Sequence, residues 1–133
     1  MKKLFKRLIA FTFVAALLFT SLAPCSNVFA ATNTGSDSHD MVFKANSNTF
    51  AKVTVTVKYT YTGSSAEITS ITRSLTTYDT STYTVQYDSI ASSYSGASGT
   101  ITYKIYKNGV YYSFATLLVS VSRDGTVSWN TGT

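Results

Sequence analysis

The stretch 52-KVTVTVKYTY-61 decides the fold. Val53, Val55, Val57, Tyr59 and Tyr61 alternate with Lys52, Thr54, Thr56, Lys58 and Thr60 over ten residues at strict period two. That period puts one set on a dry face and the other on a wet face of a β-strand, whereas a helix would need apolar residues every three or four positions. At ~3.3 Å per residue the strand would reach ~33 Å, long enough to bend midway. Thr62-Gly63-Ser64-Ser65 then reads as a turn, and 66–75 as the returning strand. Its apolar residues Ile68 and Ile71 are three apart, which period two forbids on one face. A bulge at Thr69 or Ser70 returns both to the core.

Farther along, Tyr83, Val85 and Tyr87 alternate with polar residues and predict another strand. Residues 89–99 form a connection rich in Ser, Gly and Ala, with Ile90 and Tyr94 as its large apolar residues. Asn108-Gly109 then separates two strand-like runs. This pair is a strong hairpin signal, because a type I′ turn needs positive φ at both central residues. A two-residue turn pairs Tyr106 with Tyr111, Ile105 with Tyr112 and Tyr103 with Phe114. It gathers Ile101, Tyr103, Ile105, Tyr112 and Phe114 on one face. Leu117, Val119 and Val121 are then out of phase, which calls for a bulge near Thr116 or passage of the strand between sheets. A three-residue turn over 107–109 avoids the phase change but turns Tyr112, Phe114 and Leu118 outward; the two-residue turn is preferred. For the last hairpin, a three-residue loop Arg123-Asp124-Gly125 with Gly125 left-handed pairs Val121 with Val127 and Val119 with Trp129, joining apolar partners.

Toward the N-terminus, 31–40 is polar and aperiodic and reads as a flexible arm; 41–45 reads as a short first strand. The fold class expected is therefore all-β: a small antiparallel two-sheet sandwich of about seven strands in a single domain, 41–133. It is similar in general architecture to small immunoglobulin-like sandwiches, without their Cys…Trp…Cys core. Proline, which blunts edge strands, is absent after residue 24. Lys52, Lys58 and Lys104 on strand faces can take over that protection, and self-association along an edge is an expectation to carry forward.

Residues 1–30 read as a helical signal peptide. Lys2, Lys3, Lys6 and Arg7 precede an apolar stretch from Leu8 to Leu22, and Val28-Phe29-Ala30 places small residues where a signal peptidase reads, predicting cleavage after Ala30. The stretch is about 15 residues, short of the ~20 that span a bilayer core, so no stable membrane span is expected after cleavage. Two alternatives are retention as a membrane anchor through 8–22 and lipidation at Cys25. Leu22-Ala23-Pro24-Cys25 resembles the lipobox of bacterial lipoproteins, with Pro24 standing where that motif has a small residue. The leader carries four of the eleven basic residues; the seven that remain against six acidic ones leave +1. Seven dispersed cations supply no patch for phosphates, which excludes a nucleic-acid partner. Cys25 is the only cysteine, so the cleaved domain has neither disulfides nor thiolate chemistry.

Catalytic groups are scarce. His39, the only histidine, falls in the expected arm, and a nucleophilic relay needs a histidine held by structure. Asp37 and Asp40 flank it, but solvated tail is the better reading, so no metal and no cofactor are expected. Asp79 and Asp88 bracket a strand and are the pair a glycan hydrolase would use; Glu67 should face water, and Asp124 belongs to its turn. What remains is aromatic. Tyr106 and Tyr111 become cross-strand neighbours beside Lys104, and exposed rings of this kind stack on sugars or anchor proteins. The expected function is an exported, non-enzymatic binding or surface-interaction module, with Tyr106, Tyr111 and Lys104 as its site and a cell-surface glycan or protein as its partner. The alternative is a self-assembling structural subunit or a small, bacteriocin-like secreted effector.

Overall fold

The alternation over 52–61 folds as written. The structure, a computed structural model, describes residues 30–88 and 93–132. Residues 1–29, which hold the apolar stretch and Cys25 of the expected signal peptide, fall outside the described residues. Strand β2 (Asn48–Tyr61) buries Val53, Val55, Val57 and Tyr59, while its threonines and Lys58 face outward. Strand β3 (Ala66–Thr77) returns beside it with Lys58 opposite Ser70 and Tyr59 opposite Ile68, so Thr69 is the extra residue of a β-bulge. The bulge does what the spacing required: Ile68 is 1% exposed and Ile71 packs half-buried on the core.

The arm expected over 31–40 is corrected by the structure. From Asn33 onward these residues belong to a thirteen-residue strand, β1 (Asn33–Ala45), antiparallel to β2 along its full length. Its inward positions include Gly35, Asp37 and His39, which carry no apolar signal. They are held by rings arriving from distant parts of the chain. The first sheet has the order β1-β2-β3.

The second sheet holds β4 (Tyr83–Tyr87), β5 (Ser93–Ser95), β6 (Ser98–Lys107), β7 (Val110–Val121) and β8 (Val127–Gly132). Its order is β4-β6-β7-β8, with the short β5 paired to β6 beyond the end of β4. All pairings are antiparallel, and no helix occurs among the described residues. Among the described residues the two sheets hold seven main strands, the number expected, and the three-residue β5 is an eighth.

The β6–β7 hairpin keeps the two-residue turn. Lys107 faces Val110, Tyr106 faces Tyr111, and both Asn108 (φ 52°) and Gly109 (φ 78°) are left-handed. The expected pairs Ile105–Tyr112 and Tyr103–Phe114 do not form. The register shifts at once, so that Ile105 faces Ser113 and Tyr103 faces Ala115, leaving Tyr112 as the bulged residue. The phase correction expected near Thr116 thus sits four residues earlier. It directs Ala115, Leu117, Val119 and Val121 inward and turns Tyr112 and Phe114 out of the core. The last hairpin adopts the expected three-residue loop, with Gly125 at φ 86°, Val121 opposite Val127 and Val119 opposite Trp129.

The two inner faces share one core, in which Val53, Val55, Val57 and Ile68 meet Ile101, Tyr103, Leu117 and Val119, and no polar residue is buried among the described residues. Burying one such side chain contributes about 1.5–3 kcal/mol. Backbone bonds stitch the sheets at one end: Ile68 N–H to Gly96 O (2.7 Å) and Gly63 N–H to Arg123 O (2.8 Å).

Candidate functional site: the outer face of the second sheet

Because Tyr103 and Ile105 point inward, alternation on β6 sends Lys104 and Tyr106 to the outer face. The type I′ turn then sets Tyr111 opposite Tyr106, their rings edge-to-face with centroids 6.1 Å apart and planes at 81°. The bulge at Tyr112 adds a residue that periodicity on β6 could not supply. Phe114 lands opposite Lys104, and Leu118 opposite Thr100, on this same face. Tyr111, Phe114 and Leu118 are 53%, 48% and 44% exposed. Between them lie hydroxyls, with Thr102 Oγ1 and Thr116 Oγ1 3.4 Å apart.

The structure therefore brings Lys104, Tyr106 and Tyr111 together on one surface. Lys104 is not an unengaged cation. Its Nζ lies 3.1 Å from Asp88 Oδ2, and the hydrogen bond to that carboxylate, reinforced by its charge, raises the lysine's pKa. Phe114 and Leu118 were missed because the expected pairing put Phe114 in the core. The signal that could have found them was the outward placement implied by the competing turn.

A second aromatic group gathers at the hairpin-tip end. Tyr83 stacks on Phe50 at 5.0 Å and meets Tyr112 edge-on at 6.0 Å, with Lys107 Nζ 5.6 and 5.9 Å from the two tyrosine rings. Tyr78 does not join the outer face of the second sheet. Its N–H donates to Phe50 O, and its ring lies beside Val42, Thr49 and Lys52 on the first sheet.

The carboxylates weighed for hydrolysis are engaged elsewhere. Asp79 accepts the Ser81 N–H at 2.8 Å, which holds its pKa below the usual range, and Asp88 pairs with Lys104. Asp124 accepts from the Ser122 hydroxyl and from the Thr126 N–H, which lowers its pKa and closes its turn. Glu67 is exposed opposite Thr60. His39, read as solvated tail, instead sits on β1 and stacks on Trp129 with ring centroids 5.3 Å apart. Its neighbours diverge: Asp37 faces inward to Trp129, whereas Asp40 faces outward to Lys52 (2.7 Å) and the Thr54 hydroxyl (2.6 Å). Alternation on the strand thus separates the two carboxylates, and no group of three metal-ligating side chains exists among the described residues.

No protein-family model matches the chain, and no curated protein matches it. One solved structure similar to it is the 2.75 Å crystal structure of the hypothetical protein lmo2686 from Listeria monocytogenes EGD-e, at 14% identity and a TM-score of 0.50, covering 80% of this chain and 73% of that one. At that identity the likeness shows the fold alone: an all-β chain of two antiparallel sheets.

Proposed function

We propose that the chain is an exported, non-enzymatic β-sandwich, immunoglobulin-like in general architecture, that acts as a binding module through the outer face of its second sheet. The observation that carries this reading is the exposure of Tyr111, Phe114 and Leu118 beside Tyr106 on one face, while the core closes without them. Exposed apolar side chains gathered on one surface of a soluble domain mark contact sites. Rings fixed on strands lose little entropy on binding, and a flat aromatic surface interleaved with threonine hydroxyls suits the faces and edges of sugar rings. A neutral cell-surface glycan fits best, since Lys104 is already neutralised by Asp88. Export is supported by the pattern of residues 1–30.

The test is a Tyr106→Ala/Tyr111→Ala chain and a separate Phe114→Ala chain, measured against purified cell-wall polysaccharide and whole cells. At least a tenfold loss of binding by both, with unchanged circular dichroism, is expected. Binding equal to that of the unaltered chain would remove this face from the account, and binding to protease-treated but not glycosidase-treated cells would confirm the glycan. N-terminal sequencing of secreted material should begin at Ala31.

A further inference from the structure

We infer that β1 is a self-pairing edge: two copies of the chain join antiparallel along Asp40–Lys44, about a two-fold axis at Val42, extending the first sheet into a six-stranded one. Strand β1 is the outermost of its sheet and pairs only with β2 among the described residues, so its other side offers a row of backbone donors and acceptors. Edges of this length are usually blunted by proline, by a bulge or by an unpaired lysine. β1 has no proline, its register shift opposite 43 and 44 adds a residue to β2 rather than to β1, and its one lysine, Lys44, comes with a complement.

The side chains select the register. In an antiparallel pair, facing residues share a sheet face. Centred on Val42, the pairing sets Val42 against its own copy and Asp40 against Lys44 of the second copy, twice by symmetry. Val42 is 46% exposed on the outer face, beside Tyr78, so that the apolar patch becomes continuous across the axis. Asp40, already 2.7 Å from Lys52, would sit between two cations. Centring on Asp40 or on Lys44 instead opposes like charges, and centring one residue either side sets Val42 against Asp40 or Lys44. Only the register at Val42 joins apolar to apolar and acid to base.

The second sheet leaves room for this. Strand β8 runs beside β1 with Trp129 against Asp37 and His39. Alongside Asp40–Lys44 a cleft of about 350 Å³ opens, lined by Met41, Phe43, Phe50, Ile105 and Ala115 among others. Thr131 and Gly132 of β8 line the same cleft, so a neighbouring strand that approaches there passes beside the end of β8.

Single cysteines placed in the full chain, with Cys25→Ser to remove the native thiol, test the register. Facing Cα atoms in an antiparallel pair lie 4.5–5.5 Å apart, within disulfide reach. Val42→Cys should give a disulfide-linked dimer as the main species under mild oxidation. Ser38→Cys, on the same face but off the axis, should give at most a tenth as much. A mixture of Asp40→Cys and Lys44→Cys chains should form the mixed dimer in preference to either homodimer. Val42→Lys should raise the dissociation constant of the dimer at least tenfold in sedimentation equilibrium. Cross-linking at Ser38 equal to that at Val42, as association through residues 1–29 or through β3 would produce, overturns the inference, and so does a strict monomer at high concentration.

Discussion

The indole N–H of Trp129 donates to Asp37 Oδ2 at 2.7 Å, across 92 positions of sequence, and closes the open side of the two sheets. Asp37 lies on the edge strand of one sheet and Trp129 on the edge strand of the other, and the His39 ring stacks on the same indole. One aromatic residue therefore ties down the polar half of β1.

Trp129→Phe keeps the ring and removes the donor. Hydrogen bonds to charged groups contribute about 1.5–3 kcal/mol, so the substitution should destabilise the domain by ~1–2 kcal/mol, allowing for the part-exposed site. Thermal unfolding checks this, and Asp37→Asn in the phenylalanine background should then cost much less than it does alone. Additive losses would mean that the two groups do not interact.

Gly35 lies under the ring of Tyr59, whose hydroxyl donates to Gly125 O at 3.1 Å. A Cβ at residue 35 would overlap that ring. Gly35→Ala should therefore destabilise by about 1–3 kcal/mol, as overpacking does, and Gly35→Ala combined with Tyr59→Leu should lose less than the sum of the two. Melting temperatures of the four proteins decide it.

Thr69 restores the phase between Ile68 and Ile71. Deleting it should force Ile68 to the wet face or break the pairing beyond it, for a loss of about 2–5 kcal/mol, the range for removing a large core side chain. Thr69→Ser, which keeps the count, should lie within about 0.5 kcal/mol of the unaltered chain. Urea unfolding of both would show whether residue count or side chain matters.

Burial pushes the pKa of Tyr103 up to about 12 from 10. An acid held protonated in the folded state stabilises fully below pH 10. That contribution is lost as pH rises from 10 to 12, where the unfolded chain ionises first. The loss amounts to about 2–3 kcal/mol for two pH units. Tyr103→Phe should flatten the stability curve over that interval, measured by denaturant titration; an unchanged slope would place the alkaline sensitivity elsewhere.

Much of the architecture was legible in local patterns, because a strand with one dry face needs only its own residues to declare it. Period two over 52–61, the three-residue offset between Ile68 and Ile71, and the turn chemistry of Asn108-Gly109 and Arg123-Asp124-Gly125 each name a local geometry, and each forms. The tyrosine pair at 106 and 111 followed from the same turn. Two features were settled only by tertiary contact. The inward residues of β1, Gly35, Asp37 and His39, have no hydrophobicity to report their burial; they are placed by Tyr59 and Trp129, which reach them from other strands. The bulge in β7 could stand at any of several positions as far as the chain alone is concerned. It stands at Tyr112 because Ala115, Leu117, Val119 and Val121 must all meet the first sheet, and burying that whole row outweighs keeping Tyr112 and Phe114 dry.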